Sequence, residues 1–399
     1  MMLFVPSLFR LIFVAVILLV GAGLYDRTQL IAAHRKWNAM PWINTIATSS
    51  DGRAVYLDNS NVGNLSEEAF ELWDQRIKSD LATKMVFSRT KMVLADGSDS
   101  RFEWQIDPST NIAGVVPFDK KPLLDRSDFV FNSNDSYWLT NPSAPLTGYS
   151  PLYGQTGTPR SIRTRVNATM LGDTSPTGHA GEGGRFSLAA MQAALFSNRS
   201  LAAELFREWL TAYAYNDMLN KSSLFAIPFD VNDPVNTPRG VADKTVAQTK
   251  LAHAVTVLNR AGLALNSTLA DAQFAFRSGT NIAVPGGNRH ERVANLMLAG
   301  SGDWRGYEVG ATKIKGSSSL TDKGYPVVHG SSFLLCLSFT DDGPHAEAVL
   351  AYSQSGDPTS EHYTDQTRMF AKEQLRPVLF RKQDIEANEI SSKVLTSPQ

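Results

Sequence analysis

The segment from Phe131 to Arg165, FNSNDSYWLTNPSAPLTGYSPLYGQTGTPRSIRTR, gathers the side chains of this sequence whose types and order bear most on chemistry. It opens on an Asn-Asp pair, Asn134-Asp135, and closes on three arginines, Arg160, Arg163 and Arg165. By residue type alone, an Asn in an Asn-x-Asn-Asp-Ser run is a turn former whose side chain caps nearby backbone, and Arg163 is a surface residue or an ion-pair partner. The other reactive types are dispersed. Seven histidines, His34, His179, His253, His290, His329, His345 and His362, show neither the i, i+4 pairing nor the Cys-x-x-Cys partners of a zinc site, so neither a metal nor a cofactor is expected. No Gly-x-Ser-x-Gly elbow marks a serine nucleophile. The run Gly286-Gly287-Asn288-Arg289-His290-Glu291 is glycine-rich but lacks the Lys-Ser/Thr of a phosphate loop and reads as a turn. The polar group Asp357, His362, Asp365 and Arg368 is expected to fix the C-terminal fold through buried hydrogen bonds. The single cysteine, Cys336, lies in an apolar run and reads as a buried structural thiol, which excludes an intrachain disulfide.

The elements that must position these residues read as mixed α and β. Asn44–Thr48 and Arg53–Leu57 are short apolar stretches joined by Ser-Ser-Asp-Gly, a hairpin signal because Asp-Gly tolerates the positive φ of a tight turn. Ser331–Thr340 and His345–Ser353 flank Asp-Asp-Gly-Pro and form a second hairpin, whose first strand reads as buried on both faces. Ser187 is an N-cap for a helix over Leu188–Leu195. Leu251, Ala254, Val255 and Leu258 recur at helical spacing before Gly262 ends that segment. Ile227–Gly240, with three prolines, is a long ordered loop or linker.

A chain of 399 residues, 43% hydrophobic and with a formal charge of −1, can bury a large core. No basic block tracks a phosphate backbone, so nucleic acid is not an expected partner. Residues 1–25 form a separate unit: Leu11–Gly21 suits the apolar core of a signal peptide with Arg10 before it, and Leu3–Tyr25 would equally span a bilayer. Either reading exports the soluble part, to the periplasm, the exterior or a membrane-anchored position outside the cytoplasm.

Five stretches carry a family resemblance: Met40–Asn59, Phe131–Arg165, Leu224–Gly240, Tyr325–Phe333 and, most strongly, Ser353–Phe380. Together they resemble the central and C-terminal parts of the β-chain of penicillin acylases, N-terminal-nucleophile hydrolases, and within that group the acyl-homoserine lactone acylases. The resemblance covers residues 29–390 as one partial domain. It implies an α+β fold, an incomplete αββα sandwich with helical insertions, and hydrolysis of the amide of a small-molecule N-acyl compound. In the family the first residue of the β-chain is a Ser whose hydroxyl attacks and whose own α-amino group is the base. A backbone N–H and an Asn amide hold the oxyanion. The resemblance places that Asn at Asn134 and the orienting active-site Arg at Arg163, with Arg160 and Arg165 as neighbouring alternatives. Asn134 also heads one of six Asn-x-Ser/Thr sequons, and a glycan there would be incompatible with catalysis.

The sequence departs from the family at its nucleophile. The Gly-Ser pairs beginning at Gly97, Gly300, Gly316 and Gly330 are not followed by Asn, so no counterpart of the family's Gly-Ser-Asn start is present. The expected partners are therefore the α-chain and the opening part of the β-chain, and relatives are expected to carry a longer helical stretch near Glu204–Tyr215. The leading expectation is a hydrolase fragment that is inactive alone. The alternatives are a catalytically dead membrane-tethered protein that binds acyl ligands and a pseudogene product.

Overall fold

The computed structural model describes residues 27–41, 43–90, 92–181, 183–201, 204, 225–277, 279–286, 297–299, 311–317 and 320–394. Leu3–Tyr25, most of Glu204–Tyr215 and the run after Gly286 lie outside the described residues. Among the described residues no helix is long and apolar enough to cross a membrane. The chain divides into two compact units, one of residues 1–132 and 136–156, the other of residues 133–135 and 157–399.

In the first unit the expected hairpin forms as β1 (Thr45–Ser49) and β2 (Arg53–Leu57), closed through Gly52 at φ +74°. A third antiparallel strand, β3 (Leu123–Arg126), pairs with β2 and makes it central. This position explains why Ala54–Leu57 is buried without alternation: both faces of β2 are covered. Val55 and Leu57 pack with Phe118, Leu123 and Ile31, the last from helix α1 (Arg27–Trp37). Tyr56 packs on the other face with Val116, Tyr137, Leu146 and Tyr153. Helix α2 (Glu67–Ser79) starts at Ser66, whose hydroxyl accepts from the Ala69 amide, with Glu67 and Glu68 favourably placed at the positive end of the helix dipole. It packs against α3 (Leu81–Thr90) through an edge-on Trp73–Phe87 pair with ring centroids 4.8 Å apart.

Among the described residues, the second unit holds two sheets and most of the helices. Helix α4 (Ile162–Gly172) is followed by α5 (Leu188–Leu195), capped by Ser187 as its sequence suggests. Helix α6 (Lys244–Arg260) is longer than the apolar spacing indicates, because Asp243 caps its start through the Thr245 and Val246 amides. Its end is closed at Gly262, φ +70°. One sheet has the order β5 (Thr280–Ala283), β4 (Gln273–Arg277), β7 (Tyr325–Gly330), β6 (Met297–Ala299), with a parallel β4–β7 pair among antiparallel neighbours. The other has the order β10 (Arg376–Val378), β9 (Gly343–Leu350), β8 (Phe333–Thr340), with β8–β9 as the second expected hairpin. A shared core joins them: Ala275, Ile282 and Val327 from one sheet meet Leu334 and Val349 from the other, with Phe196 after α5 and Phe370 in α7 (Asp365–Ala371).

Strand β8 departs from its expected burial on both faces. Leu334 packs in this core and Cys336 is buried, whereas Leu335 between them is 40% exposed, so the strand is half-buried in spite of its continuous apolar run. Cys336 is buried, as its surroundings in the sequence suggest, and burial raises its thiol pKa to about 11. Residues 225–240 form an ordered loop, pinned by paired backbone bonds between Ile227 and Arg239 and by Thr237, whose hydroxyl donates to the Asp233 carbonyl at 2.7 Å.

Candidate functional site

The second unit brings Asn134 and Arg163 together. Arg163, 6% exposed on α4, donates from Nη2 to the Ser133 carbonyl at 2.6 Å and to Asn134 Oδ1 at 2.8 Å. Asn134 is exposed and sits at φ +57°, a left-handed conformation that Asn tolerates better than most non-glycine residues. The guanidinium bond fixes the sense of the amide. Its oxygen faces Arg163, so its N–H donors lie on the opposite side, and a cation on Oδ1 draws electron density from the nitrogen and sharpens it as a donor.

The residues on either side of Asn134 are also tied to α4. Asp135 accepts from Arg160 Nη1 at 2.8 Å, the Ser161 amide at 3.1 Å and the Thr164 hydroxyl at 2.8 Å. Ser133 Oγ accepts from Asn167 Nδ2 at 2.8 Å. Arg160 and Arg165, the neighbouring arginines, engage other groups: Arg160 pairs with Asp135, and Arg165, 1% exposed, donates to the Val235 and Pro238 carbonyls at 2.7 and 3.0 Å. Thus α4 gathers both the Asn134 segment and the proline-rich loop. Hydrophobic periodicity gives no sign of this helix, because it is buried on nearly every side and carries no apolar stripe. Asp135, Thr164 and Asn167 are therefore not marked by the periodicity of the sequence. The available signal was Ser161 ahead of Ile162, an N-cap whose hydroxyl accepts from the Thr164 amide at 3.2 Å.

The polar C-terminal group differs from expectation. Asp357, His362 and Arg368 are exposed, and Asp365 is half-buried, so their bonds are not the buried ones. Asp365 Oδ2 lies 2.9 Å from His362 Nδ1, and this hydrogen bond raises the His362 pKa. The buried fastening comes from the next two residues: Gln366 Oε1 accepts from the Leu350 amide, and Thr367 bonds Ser353. Arg277 adds a clamp, donating to the Tyr352 and Tyr363 carbonyls at 2.7 and 2.8 Å while stacking 3.8 Å over the Tyr363 ring.

The first unit has its own polar cluster. Lys121, 2% exposed, donates to the Asn38 carbonyl, to Asn59 Oδ1 at 2.9 Å and to the Ser60 carbonyl at 3.4 Å. Burial lowers its pKa to about 8 against the opposing pull of Asp58. Nearby His34 is lowered by burial and then by Lys121. Lys121 finds three acceptors, so its ammonium is satisfied and reads as an internal fastening. Among the described residues no cluster of His, Cys, Asp and Glu could hold a metal ion.

A family model for penicillin amidase matches residues 24–227 and 204–387. The chain belongs to the penicillin amidase family. The two matched stretches overlap at 204–227. The acyl-homoserine lactone acylase PvdQ of Pseudomonas syringae pv. syringae (strain B728a) is 29% identical over 399 aligned residues, covering 89% of this chain and 47% of that protein. The aculeacin-A acylase of Actinoplanes utahensis is 26% identical over 412 residues, covering 91% and 48%. The chain therefore spans about half the length of the curated relatives it matches. A solved thermostable penicillin G acylase from Alcaligenes faecalis aligns at a TM-score of 0.32 and 14% identity, covering 90% of this chain and 68% of that one, too loose a superposition to carry fold detail.

Proposed function

We propose that this chain carries the oxyanion-stabilising part of a hydrolase that cleaves the amide of N-acyl compounds, of which acyl-homoserine lactones are the leading class. Membership of the penicillin amidase family and the acylase names of the relatives support the reaction class. The observation that carries the site is the Arg163–Asn134 bond, which turns the Asn134 amide so that its N–H side is the one able to donate. In the proposed reaction a serine hydroxyl, released by its own α-amino group acting as base, attacks the amide carbonyl. Asn134 Nδ2 donates to the resulting oxyanion. Collapse expels the amine with the proton, and water then frees the acyl group from the serine. A donor aimed at developing charge accelerates such a step about a hundredfold to a thousandfold.

The serine has no counterpart among these 399 residues, and we propose that another polypeptide segment supplies it. We further propose that the two sheets of the second unit are the inner layers of an αββα sandwich, a reading supported by their shared core. Export through residues 1–25 belongs to the same proposal. The test is to incubate the purified chain with an N-acyl-homoserine lactone, with and without a polypeptide bearing the family's N-terminal Ser, and measure free amine. Release only in the mixture is expected. Release by the chain alone above a heat-killed control would overturn the missing-nucleophile reading, and no release in either case would favour a protein that only binds acyl ligands.

A further inference from the structure

The Arg163–Asn134 bond fixes one end of one side chain, but an amide on an exposed left-handed residue needs its backbone held as well. Both flanks of Asn134 are held, and by the same helix. On one side, the Ser133 carbonyl accepts from Arg163 at 2.6 Å and Ser133 Oγ accepts from Asn167 at 2.8 Å, four residues further along α4. On the other, the Asp135 carboxylate receives three donors from the start of α4: Arg160 Nη1, the Ser161 amide and the Thr164 hydroxyl. Ser133, Arg160 and Thr164 are all buried, and Asp135 is half-buried. Water therefore competes weakly for these bonds, and the two anchors have little room to drift.

We propose that Asp135, through Thr164 and Arg160, and Ser133, through Asn167, are positioning residues that hold Asn134 in its left-handed, donor-presenting pose. This inference rests on the oxyanion reading of Asn134 and extends it from one amide to a two-sided clamp. The physics of the clamp lies in helical geometry. Residues 160, 161 and 164 lie around the first turn and residues 163 and 167 one turn apart, so a single rigid element meets the 133–135 segment at two points. A rotation of α4 would disturb both anchors at once, whereas thermal motion of the loop alone is resisted from either side. The neighbours of an oxyanion donor matter because a displacement of about 1 Å already costs about a hundredfold in rate.

A double-substitution cycle in the complete enzyme tests this, read as kcat per folded site on an N-acyl-homoserine lactone. Thr164→Val is nearly isosteric, leaves Arg160 paired with Asp135, and removes the hydroxyl with its bonds to Asp135 and to Ser161 Oγ. It is expected to lower kcat about tenfold with KM within about twofold, and Thr164→Ser is expected to restore it. Asn134→Gly keeps the left-handed backbone and deletes the amide, and in that background Thr164→Val is expected to have no further effect, since nothing remains to be positioned. Ser133→Ala, which cuts the other anchor, is expected to follow the same pattern and stands in should Thr164→Val fold poorly. Unchanged kcat in both Thr164→Val and Ser133→Ala would overturn the clamp while leaving Asn134 as donor. So would equal losses with and without the Asn134 amide. Unchanged kcat in Asn134→Gly would instead overturn the oxyanion reading itself.

Discussion

Replacing Asn134 by Asp separates a catalytic amide from a turn residue, because the substitution keeps shape and backbone preference and changes only what the side chain can donate. Both residues accept φ +57° more readily than most others. Arg163 Nη2, 2.8 Å from Oδ1, can donate to a carboxylate in the same place, and the bond becomes an ion pair. Two unit charges about 4 Å apart attract by about 4 kcal/mol at an effective dielectric of about 20. Asn134 is exposed, however, and hydration of its carboxylate cancels most of that, leaving a net gain in stability of about 0–1 kcal/mol. A gain of that size raises the melting temperature of a chain this long by no more than about 3 °C.

Catalysis should move the other way. The carboxylate has no N–H to offer and places negative charge where the proposed oxyanion develops. Loss of one donor is worth about 3–4 kcal/mol of transition-state stabilisation, or a hundredfold to a thousandfold in kcat, and the added repulsion pushes the effect towards the upper end. The assay is free amine released from an N-acyl-homoserine lactone by the complete enzyme, run beside thermal unfolding of the same preparation. The expected result is a melting temperature unchanged or slightly raised, with turnover reduced at least about a hundredfold. A variant that keeps turnover within about threefold of the parent refutes the reasoning, and Asn134 is then a turn residue like any other.

Three further outcomes follow from the rest of the molecule. Because burial lowers the Lys121 pKa to about 8 from an ordinary 10.5, the unfolded chain holds that proton and the folded chain does not between those values; stability therefore rises with pH across that window, by up to about 3 kcal/mol, and the gain is absent below about pH 8. Lys121→Met should flatten that rise in urea-unfolding midpoints measured at pH 7.5, 8.5 and 9.5, and an identical slope in the two proteins would refute it. Cys336, with its thiol raised to about 11 by burial, should resist alkylation at pH 8 in the folded protein and react on unfolding in urea; prompt reaction without urea would show that the β8 core is open. Arg277→Lys replaces a planar guanidinium, bonded to two carbonyls through Nη2 and stacked on Tyr363, by a flexible ammonium that cannot stack in the same way, and should cost about 2 kcal/mol and speed proteolysis within residues 353–363. Cleavage rates indistinguishable from the parent would mean that Gln366 and Thr367 hold that segment without it.

What the sequence discloses depends on which physical signal each element leaves. Both hairpins are legible because Asp-Gly and Asp-Asp-Gly sit between apolar runs, and turn chemistry is local. Helix α5 is legible at Ser187 for the same reason. The half-burial of β8 is not legible, because an unbroken apolar run states what a strand could bury, not what lies opposite each face, and Leu335 has one face near solvent. The C-terminal polar group misleads similarly: Asp357 and His362 stand out by type, while the less conspicuous Gln366 and Thr367 point inward and make the buried bonds. Asn134 and Arg163 emerged from the family resemblance, and residue types alone would have left them as a turn former and an ion-pair partner.

Helix α4 is where periodicity fails altogether, and its failure is informative. A helix that buries Arg160 just before its start and Arg163 and Arg165 within it cannot be held by apolar burial alone, since a buried guanidinium without acceptors is strongly unfavourable. The acceptors come from the two loops that the sequence marks as irregular: Asp135, the Ser133 carbonyl and Asn134 Oδ1 from one, and the Val235 and Pro238 carbonyls from the other. The loops in turn owe their fixed geometry to those arginines, which are planar, always charged and unable to relieve the burial by losing a proton. Site and scaffold are thus the same set of bonds. The pose of Asn134 follows from the conditions under which α4 can be buried at all, which is why a polar, unpatterned stretch of sequence, rather than an apolar one, marks the place where the candidate chemistry is held.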